Sequence, residues 1–202
     1  MNYNDIDSKK SVFIFELDDV LFPEKDYLYQ VYYLFSNLLE YTEHFDAKQT
    51  TNLMINAYIK LGKDNVFDCL VDEMNVNEKY RKNLNSLMLE AKLPLKLLLY
   101  KNMLKLLQDI VVDRKKPFIV TNGKPVIQLN KIKHTEWHGL ENYLKVYFAD
   151  EIIPKPEPDV IDLLISDHQI QRRDIVLIGN SETDRLTAEA CGLDYLNSFD
   201  FF

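Results

Sequence analysis

The fold is decided by the stretch Val12-Phe13-Ile14-Phe15-Glu16-Leu17-Asp18-Asp19-Val20-Leu21-Phe22. Four consecutive apolar residues, β-branched and aromatic in alternation, are followed at once by a cluster of carboxylates. A buried parallel strand is a short, continuous apolar run, and its carboxyl end delivers the next side chains to one edge of an α/β sheet. We therefore predict a strand over residues 11–15 with acidic side chains at its end.

Strands alternate with helices in the second half of the chain. Short apolar runs predict strands over 117–120, 146–149 and 174–178. Helical periodicity predicts helices over 97–113, 158–168 and 181–191. Because alternating strands and helices form parallel sheets, the predicted fold class is α/β, with a Rossmann-like parallel sheet core flanked by helices.

The segment between these two regions has only helical signals. Leu28, Val31, Phe35 and Leu38 recur at three- and four-residue steps, and further helices are predicted over 47–61 and 78–91. We expect residues 1–22 and 95–202 to form the α/β core and residues 23–94 to form an inserted helical domain. The aromatic side chains at 27, 29, 32, 33 and 35 either pack between helices or line a pocket, and helical spacing favours packing.

The composition narrows the classes of partner. The 202 residues are 47% hydrophobic and carry a net charge of -8, which argues against nucleic acid or an anionic membrane as the main partner. Cys69 and Cys191 have no ligand spacing, so we expect buried, unpaired thiols. Without a membrane-length apolar run or a signal-like start, we expect a cytoplasmic protein. No sequence feature specifies an oligomeric state.

Three later segments place polar groups at the ends of predicted strands or the starts of predicted helices. The first, Ile119-Val120-Thr121-Asn122-Gly123, offers a hydroxyl and a glycine-containing turn suited to a phosphate oxygen. The second, Lys155-Pro156-Glu157-Pro158-Asp159, offers a cation. The third, Ile178-Gly179-Asn180-Ser181-Glu182-Thr183-Asp184, offers amide and carboxylate oxygens.

With the first stretch, these segments resemble the four motifs of the haloacid dehalogenase (HAD) superfamily, in order. The resemblance covers 11–22 and nearly all of 95–196, and it implies a phosphatase of a small phosphorylated metabolite with a helical cap at 23–94. It implies Glu16 as nucleophile, Asp18 as acid and base, and Thr121 and Lys155 as further catalytic groups. It also implies two sets of ligands: phosphate at Thr121, Asn122 and Lys155, and Mg²⁺ at Glu16, Asp18, Asn180 and Asp184.

Two residues depart from the family pattern. Where the family has an aspartate nucleophile, Glu16 moves the carboxylate by about 1 Å, a displacement that can cost roughly a hundredfold in rate. Asn180 replaces an anionic metal ligand with a neutral oxygen, so we expect Mg²⁺ binding to be weak or absent. Glu182 is either a substitute ligand or a solvated acid at a helix start, and the second interpretation is favoured.

Two other functions remain open beside slow phosphatase turnover. The first is a catalytically inactive HAD-like protein that binds a phosphorylated ligand or a protein partner. The second is carbon–halogen cleavage, which proceeds in this superfamily without Mg²⁺ and accommodates Asn180, although it also requires an aspartate where Glu16 stands.

Overall fold

The computed structural model describes all residues, Met1–Phe202. It contains seven strands and eight α-helices, and strands alternate with helices in the second half of the chain. In chain order they are β1 (Val12–Phe15), α1 (Glu24–Glu43), α2 (Ala47–Leu61), α3 (Val66–Met74), α4 (Arg81–Glu90), β2 (Leu97–Leu98), α5 (Lys101–Val112), β3 (Lys116–Thr121), α6 (Pro125–His134), β4 (Thr135–Glu136), β5 (Lys145–Phe148), α7 (Asp159–His168), β6 (Ile175–Gly179), α8 (Glu182–Cys191) and β7 (Asp194–Asn197).

Five strands form one parallel sheet in the order β5-β3-β1-β6-β7. The central strand β1 is buried along its whole length, and its last residue, Phe15, pairs with Ile119 on one side and Ile178 on the other. The carboxyl ends of β1, β3 and β6 therefore lie side by side at one edge. The predicted fold class, a Rossmann-like parallel sheet flanked by helices, is confirmed.

One hydrophobic cluster joins this sheet to the helices α7 and α8. Buried side chains of β1, β3 and β6 contact Val160, Ile161 and Leu164 of α7 and Ala188 and Cys191 of α8. Burying an aliphatic side chain of this size contributes about 1.5–3 kcal/mol. This packing makes the strand ends a rigid platform for the polar residues that follow them.

The structure corrects three details of the sequence analysis. The helix predicted from residue 97 begins only at Lys101, because Leu97–Leu98 pairs as a strand with Thr135–Glu136. The edge strand Asp194–Asn197 was not predicted, since it has no continuous apolar run. Cys191 is buried as expected, but Cys69 is only half-buried, and its Sγ lies 3.5 Å from Glu73 Oε1; neither cysteine forms a disulfide.

The chain divides into two compact units, Met1–Glu24 with Leu97–Phe202, and Lys25–Lys96. The second unit is entirely helical, and Phe35 packs on Phe67 with 6.1 Å between ring centroids. Of the aromatic residues of α1, Tyr27, Tyr32 and Phe35 are buried, whereas Tyr33 is 52% exposed. The role of this unit as a cap stays a prediction.

None of the helices combines the length and the apolar character that crossing a membrane requires.

Candidate active site

A tight loop follows β1 and carries the acidic residues. Glu16 is anchored because its backbone N–H donates to the Ile178 carbonyl, and its Oε1 accepts a 2.6 Å hydrogen bond from the N–H of Leu17. Asp19 adopts the left-handed conformation with φ of 57°, which aspartate tolerates better than most residues. Its N–H donates to the Phe22 carbonyl at 2.8 Å and closes the loop.

Lys155 links the first acidic segment to the last. Its Nζ lies 2.5 Å from Glu16 Oε2 and 2.5 Å from Asp184 Oδ1. The Lys155 and Asp184 side chains are 2% and 1% exposed, and that of Glu16 is 12% exposed. Asn122 holds the Lys155 backbone from both sides: its Nδ2 donates to the Lys155 carbonyl at 2.9 Å, and its Oδ1 accepts from the Lys155 N–H at 3.0 Å. The predicted phosphate ligands Asn122 and Lys155 are therefore in direct contact.

The three ionisable groups of this cluster perturb one another. Burial raises the pKa of Glu16 above its ordinary value, although Lys155 and the Thr121 hydroxyl act in the opposite direction. Burial opposes the charge of Lys155 too, but Glu16 and Asp184 outweigh it and raise the pKa of Lys155. For Asp184, the effect of burial is exceeded by Lys155 and Ser181, and its pKa is lowered. Such perturbation of buried, paired groups is typical of functional sites.

The start of α8 fixes Asp184. Its Oδ2 accepts hydrogen bonds from Ser181 Oγ at 2.7 Å and from the N–H groups of Asn180 and Ser181, both at 3.2 Å. A capping box also forms, because Ser181 Oγ accepts from the Asp184 N–H at 3.1 Å. The side chain of Asp184 thus belongs both to the helix cap and to the buried ion pair.

Asn180 binds the loop after β1. Its Nδ2 donates to the Asp19 carbonyl at 3.2 Å. A carbonyl oxygen can only accept, so the amide must present its N–H there. Glu182, in contrast, is exposed and paired with Arg185, as expected of a solvated acid at a helix start.

Two buried polar residues of α6 belong to the site, although their sequence pattern does not predict it. Gln128 Nε2 lies 2.9 Å from Asp18 Oδ2 and 2.8 Å from Thr121 Oγ1, and Lys131 Nζ lies 2.6 Å from Asp18 Oδ2. Both residues are only 2% exposed. Their spacing of three residues, just after the Thr121 turn, was the available signal, but a glutamine and a lysine on a helix usually face solvent.

Only one of the two carboxylate oxygens of Asp18 therefore accepts hydrogen bonds from the protein. Its Oδ2 accepts from both Gln128 and Lys131, whereas its buried Oδ1 has no hydrogen-bond donor from the protein. A buried oxygen without a donor is costly, and a bound ligand that donates a proton would relieve that cost.

The comparison of the sequence with family models decides the family. The model of haloacid dehalogenase-like hydrolases matches residues 13–197. The chain belongs to this family. The HAD resemblance identified from the four sequence motifs is thereby confirmed, and the chain is a HAD-like hydrolase. No curated protein matches the chain by sequence.

Solved structures share this fold at low identity. A hydrolase from Streptococcus pneumoniae is 18% identical with a TM-score of 0.58, and the match covers 93% of this chain and 92% of that one. A HAD family hydrolase from Deinococcus radiodurans with bound phosphate and sodium is 17% identical with a TM-score of 0.60, covering 95% and 81%. L-2-haloacid dehalogenase from Xanthobacter autotrophicus, with chloropropionic acid covalently bound, is 14% identical with a TM-score of 0.52, covering 92% and 76%.

Hydrolases of this family generally use Mg²⁺, and the donor set here fits that ion poorly. Both oxygens of Glu16 and both oxygens of Asp184 already accept hydrogen bonds, two of them from the Lys155 ammonium. Asn180 adds no charge, and its amide N–H is directed to the Asp19 carbonyl. No group of three or more His, Cys, Asp or Glu side chains has metal-binding geometry. The site neutralises its carboxylates with a lysine.

Proposed function

We propose that this HAD-like hydrolase cleaves a phosphomonoester of a small metabolite, slowly, at the carboxyl edge of its sheet. The observation that carries this proposal is the 2.5 Å contact between Glu16 Oε2 and Lys155 Nζ, groups that are 139 positions apart in the chain. A carboxylate nucleophile beside a buried ammonium, with Asp18 and the Thr121 hydroxyl linked through Gln128, contains the groups that phosphoryl transfer needs.

The residues would act in two steps. A carboxylate oxygen of Glu16 attacks phosphorus, the bond from phosphorus to the leaving oxygen breaks, and Asp18 gives that oxygen its proton. Water then attacks the phosphorus of the acyl phosphate while Asp18 takes one of its protons. This step releases inorganic phosphate and restores the Glu16 carboxylate. Lys155 and the Thr121 hydroxyl hold the phosphoryl oxygens and balance their charge.

The proposed substrate class, a phosphomonoester, rests on the phosphate-binding groups and not on residues that would contact the rest of the substrate. Thr121, Asn122 and Lys155 are proposed to bind the phosphoryl group, and the helical unit Lys25–Lys96 is proposed as the cap that selects the metabolite. The bound phosphate in the Deinococcus radiodurans hydrolase supports this class of ligand.

A second candidate function is ligand binding without turnover. It is favoured by the two hydrogen bonds that Glu16 accepts, from the Leu17 N–H and from Lys155, because each lowers the nucleophilicity of the oxygen that accepts it. The extra methylene of Glu16 favours the same function.

A phosphate-release assay over a panel of phosphorylated metabolites distinguishes the two functions. We expect slow release by the native protein and none by Glu16→Gln or Asp18→Asn, whereas Glu141→Gln, at an exposed acid, should behave as native. Stabilisation of the native protein by inorganic phosphate without any release would favour the binding function. If phosphate neither binds nor is released, both proposals are wrong.

A further inference from the structure

Helix α6 buries two of its polar residues and exposes two of its apolar ones. Its apolar residues Val126 and Leu129 are 56% and 41% exposed, whereas its polar residues Gln128 and Lys131 are each 2% exposed. Burying a lysine and a glutamine in place of aliphatic side chains costs free energy unless their polar groups are well paired. This reversed pattern therefore needs a reason other than the packing of a hydrophobic core.

The buried polar groups of α6 meet at one oxygen. The Nε2 of Gln128 and the Nζ of Lys131 approach Asp18 Oδ2 at 2.9 and 2.6 Å. Both groups are donors, so they use the lone pairs of this oxygen and leave Oδ1 as the one available for a proton. Lys131 also lies 3.3 Å from Glu24 Oε1, which fixes the ammonium from a second side.

Gln128 connects Asp18 to the turn after β3. The same Nε2 lies 2.8 Å from Thr121 Oγ1 and 3.0 Å from the Asn122 carbonyl. The Asp18 carboxylate is therefore held at a fixed place relative to the residues proposed to bind phosphate. Proton transfer to a leaving group depends on such placement before it depends on acidity.

We propose that Gln128 and Lys131 are positioning residues, which hold Asp18 by Oδ2 so that Oδ1 exchanges the proton with the substrate. This inference rests on the proposed phosphatase function, in which Asp18 protonates the leaving oxygen. Neither residue touches the substrate. Their contribution is to the proton transfers of Asp18 and not to the attack of Glu16 on phosphorus, and among the steps up to leaving-group departure it falls on protonation of the leaving oxygen.

The test compares two substrates of nearly the same shape, phenyl phosphate and p-nitrophenyl phosphate. The nitrophenolate leaves as a stable anion and needs little protonation, whereas phenolate needs the acid more. Since general acid catalysis is worth on the order of 10²–10⁴, Lys131→Met should lower kcat/KM for phenyl phosphate, which reports the steps up to leaving-group departure, by about tenfold or more. It should lower kcat/KM for p-nitrophenyl phosphate by less than about threefold. Asp18→Asn should give the same selective loss of kcat/KM, together with a loss of kcat on both esters because the water that attacks the acyl phosphate also loses its base. Adding Lys131→Met to it should cause no further selective loss.

Two further variants keep the test decisive. Lys133→Met removes an exposed lysine from the same helix and should leave both rates unchanged. Gln128→Met removes one donor without removing a charge, and it replaces Lys131→Met if circular dichroism shows that the latter does not fold. Equal losses of kcat/KM on the two esters would overturn the inference and leave the phosphatase function standing. No turnover by the native protein or by Glu16→Asp would overturn the phosphatase function, and the inference with it.

Discussion

The Lys155 ammonium lies 2.5 Å from a carboxylate oxygen of Glu16, in a place where only 2% of the lysine side chain is exposed. The same ammonium lies 2.5 Å from Asp184. One buried positive charge therefore forms ion pairs with two buried negative charges. The three groups form one electrostatic unit, and the loss of any one of them should disturb the other two.

Removing the shared cation should destabilise the fold, and more so at high pH. Lys155→Met leaves Glu16 and Asp184 buried without a partner, and breaking a buried ion pair costs about 3–5 kcal/mol. In the variant both carboxyl groups should have a raised pKa in the folded state. A raised pKa means that stability is retained at low pH and lost as the pH rises through the folded-state value. Urea unfolding should therefore show a larger gap from the native protein at pH 8 than at pH 5.

The matched control for this prediction is Lys133→Met, because Lys133 is an exposed lysine. Its unfolding free energy should stay within about 0.5 kcal/mol of native at both pH values. Combining Lys155→Met with Glu16→Gln should recover part of the lost unfolding free energy, since one of the two unpaired buried carboxylates is then removed. A gap that does not change between pH 5 and pH 8 would contradict the electrostatic explanation.

The sheet and the positions of the acidic residues could be predicted because short segments of the sequence indicate each of them. Continuous apolar runs mark β1, β3 and β6, and parallel strands place their carboxyl ends at one edge. That geometry brings together Glu16, Thr121 and Asn180, although they are far apart in sequence. No residue-specific contact had to be known for this step.

The contacts of Gln128 and Lys131 with Asp18 could not be predicted, because polar side chains on a helix usually face solvent. A surface helix normally buries apolar side chains and exposes polar ones, whereas α6 exposes Val126 and Leu129 and buries Gln128 and Lys131. The edge strand Asp194–Asn197 was missed for a related reason, since half-exposed residues at a sheet edge have no continuous apolar run. In both cases tertiary contacts outweigh the local pattern.

Gly179 should not tolerate a side chain, even though its backbone is ordinary. A Cβ at this position would lie 2.4 Å from the Cβ of Asp184 and 2.6 Å from its Oδ2. Gly179→Ala should therefore move Asp184 from Lys155 and cost about 1–3 kcal/mol, as overpacking does. Thermal unfolding measures the loss. Gly139→Ala is a useful comparison, because its Cβ would meet nothing within 4 Å and its cost comes only from a φ of 86°. Native stability in Gly179→Ala would show that Asp184 can shift freely.

Magnesium should stabilise a single-residue variant more than the native protein. Asn180→Asp adds the anionic oxygen that the donor set lacks, close to the Asp19 carbonyl. A ligand at 100 times its Kd adds about 2.7 kcal/mol to the folded state. A thermal-shift series up to millimolar Mg²⁺ should thus raise the Tm of the variant clearly and that of the native protein little. Asn142→Asp, at an exposed position, is the control for added charge. Equal stabilisation of native and variant would mean that the native site already holds the ion.

Restoring the family residues at both departures should raise turnover. Glu16→Asp shortens the nucleophile and frees it from its contact with the Leu17 N–H, and Asn180→Asp supplies the missing anionic ligand. With Mg²⁺ present, the double variant should hydrolyse p-nitrophenyl phosphate faster than native. The gain should exceed the product of the single effects, because both changes act on one transition state. Replacing Glu16 with the family aspartate corrects a displacement of about 1 Å, which is worth roughly a hundredfold. Adding Asp18→Asn to the double variant should reduce the gain, because it removes the proton donor and keeps a side chain of the same shape. If native turnover is already fast and Glu16→Asp slows it, Glu16 is an adapted nucleophile, and the interpretation of an impaired site is wrong.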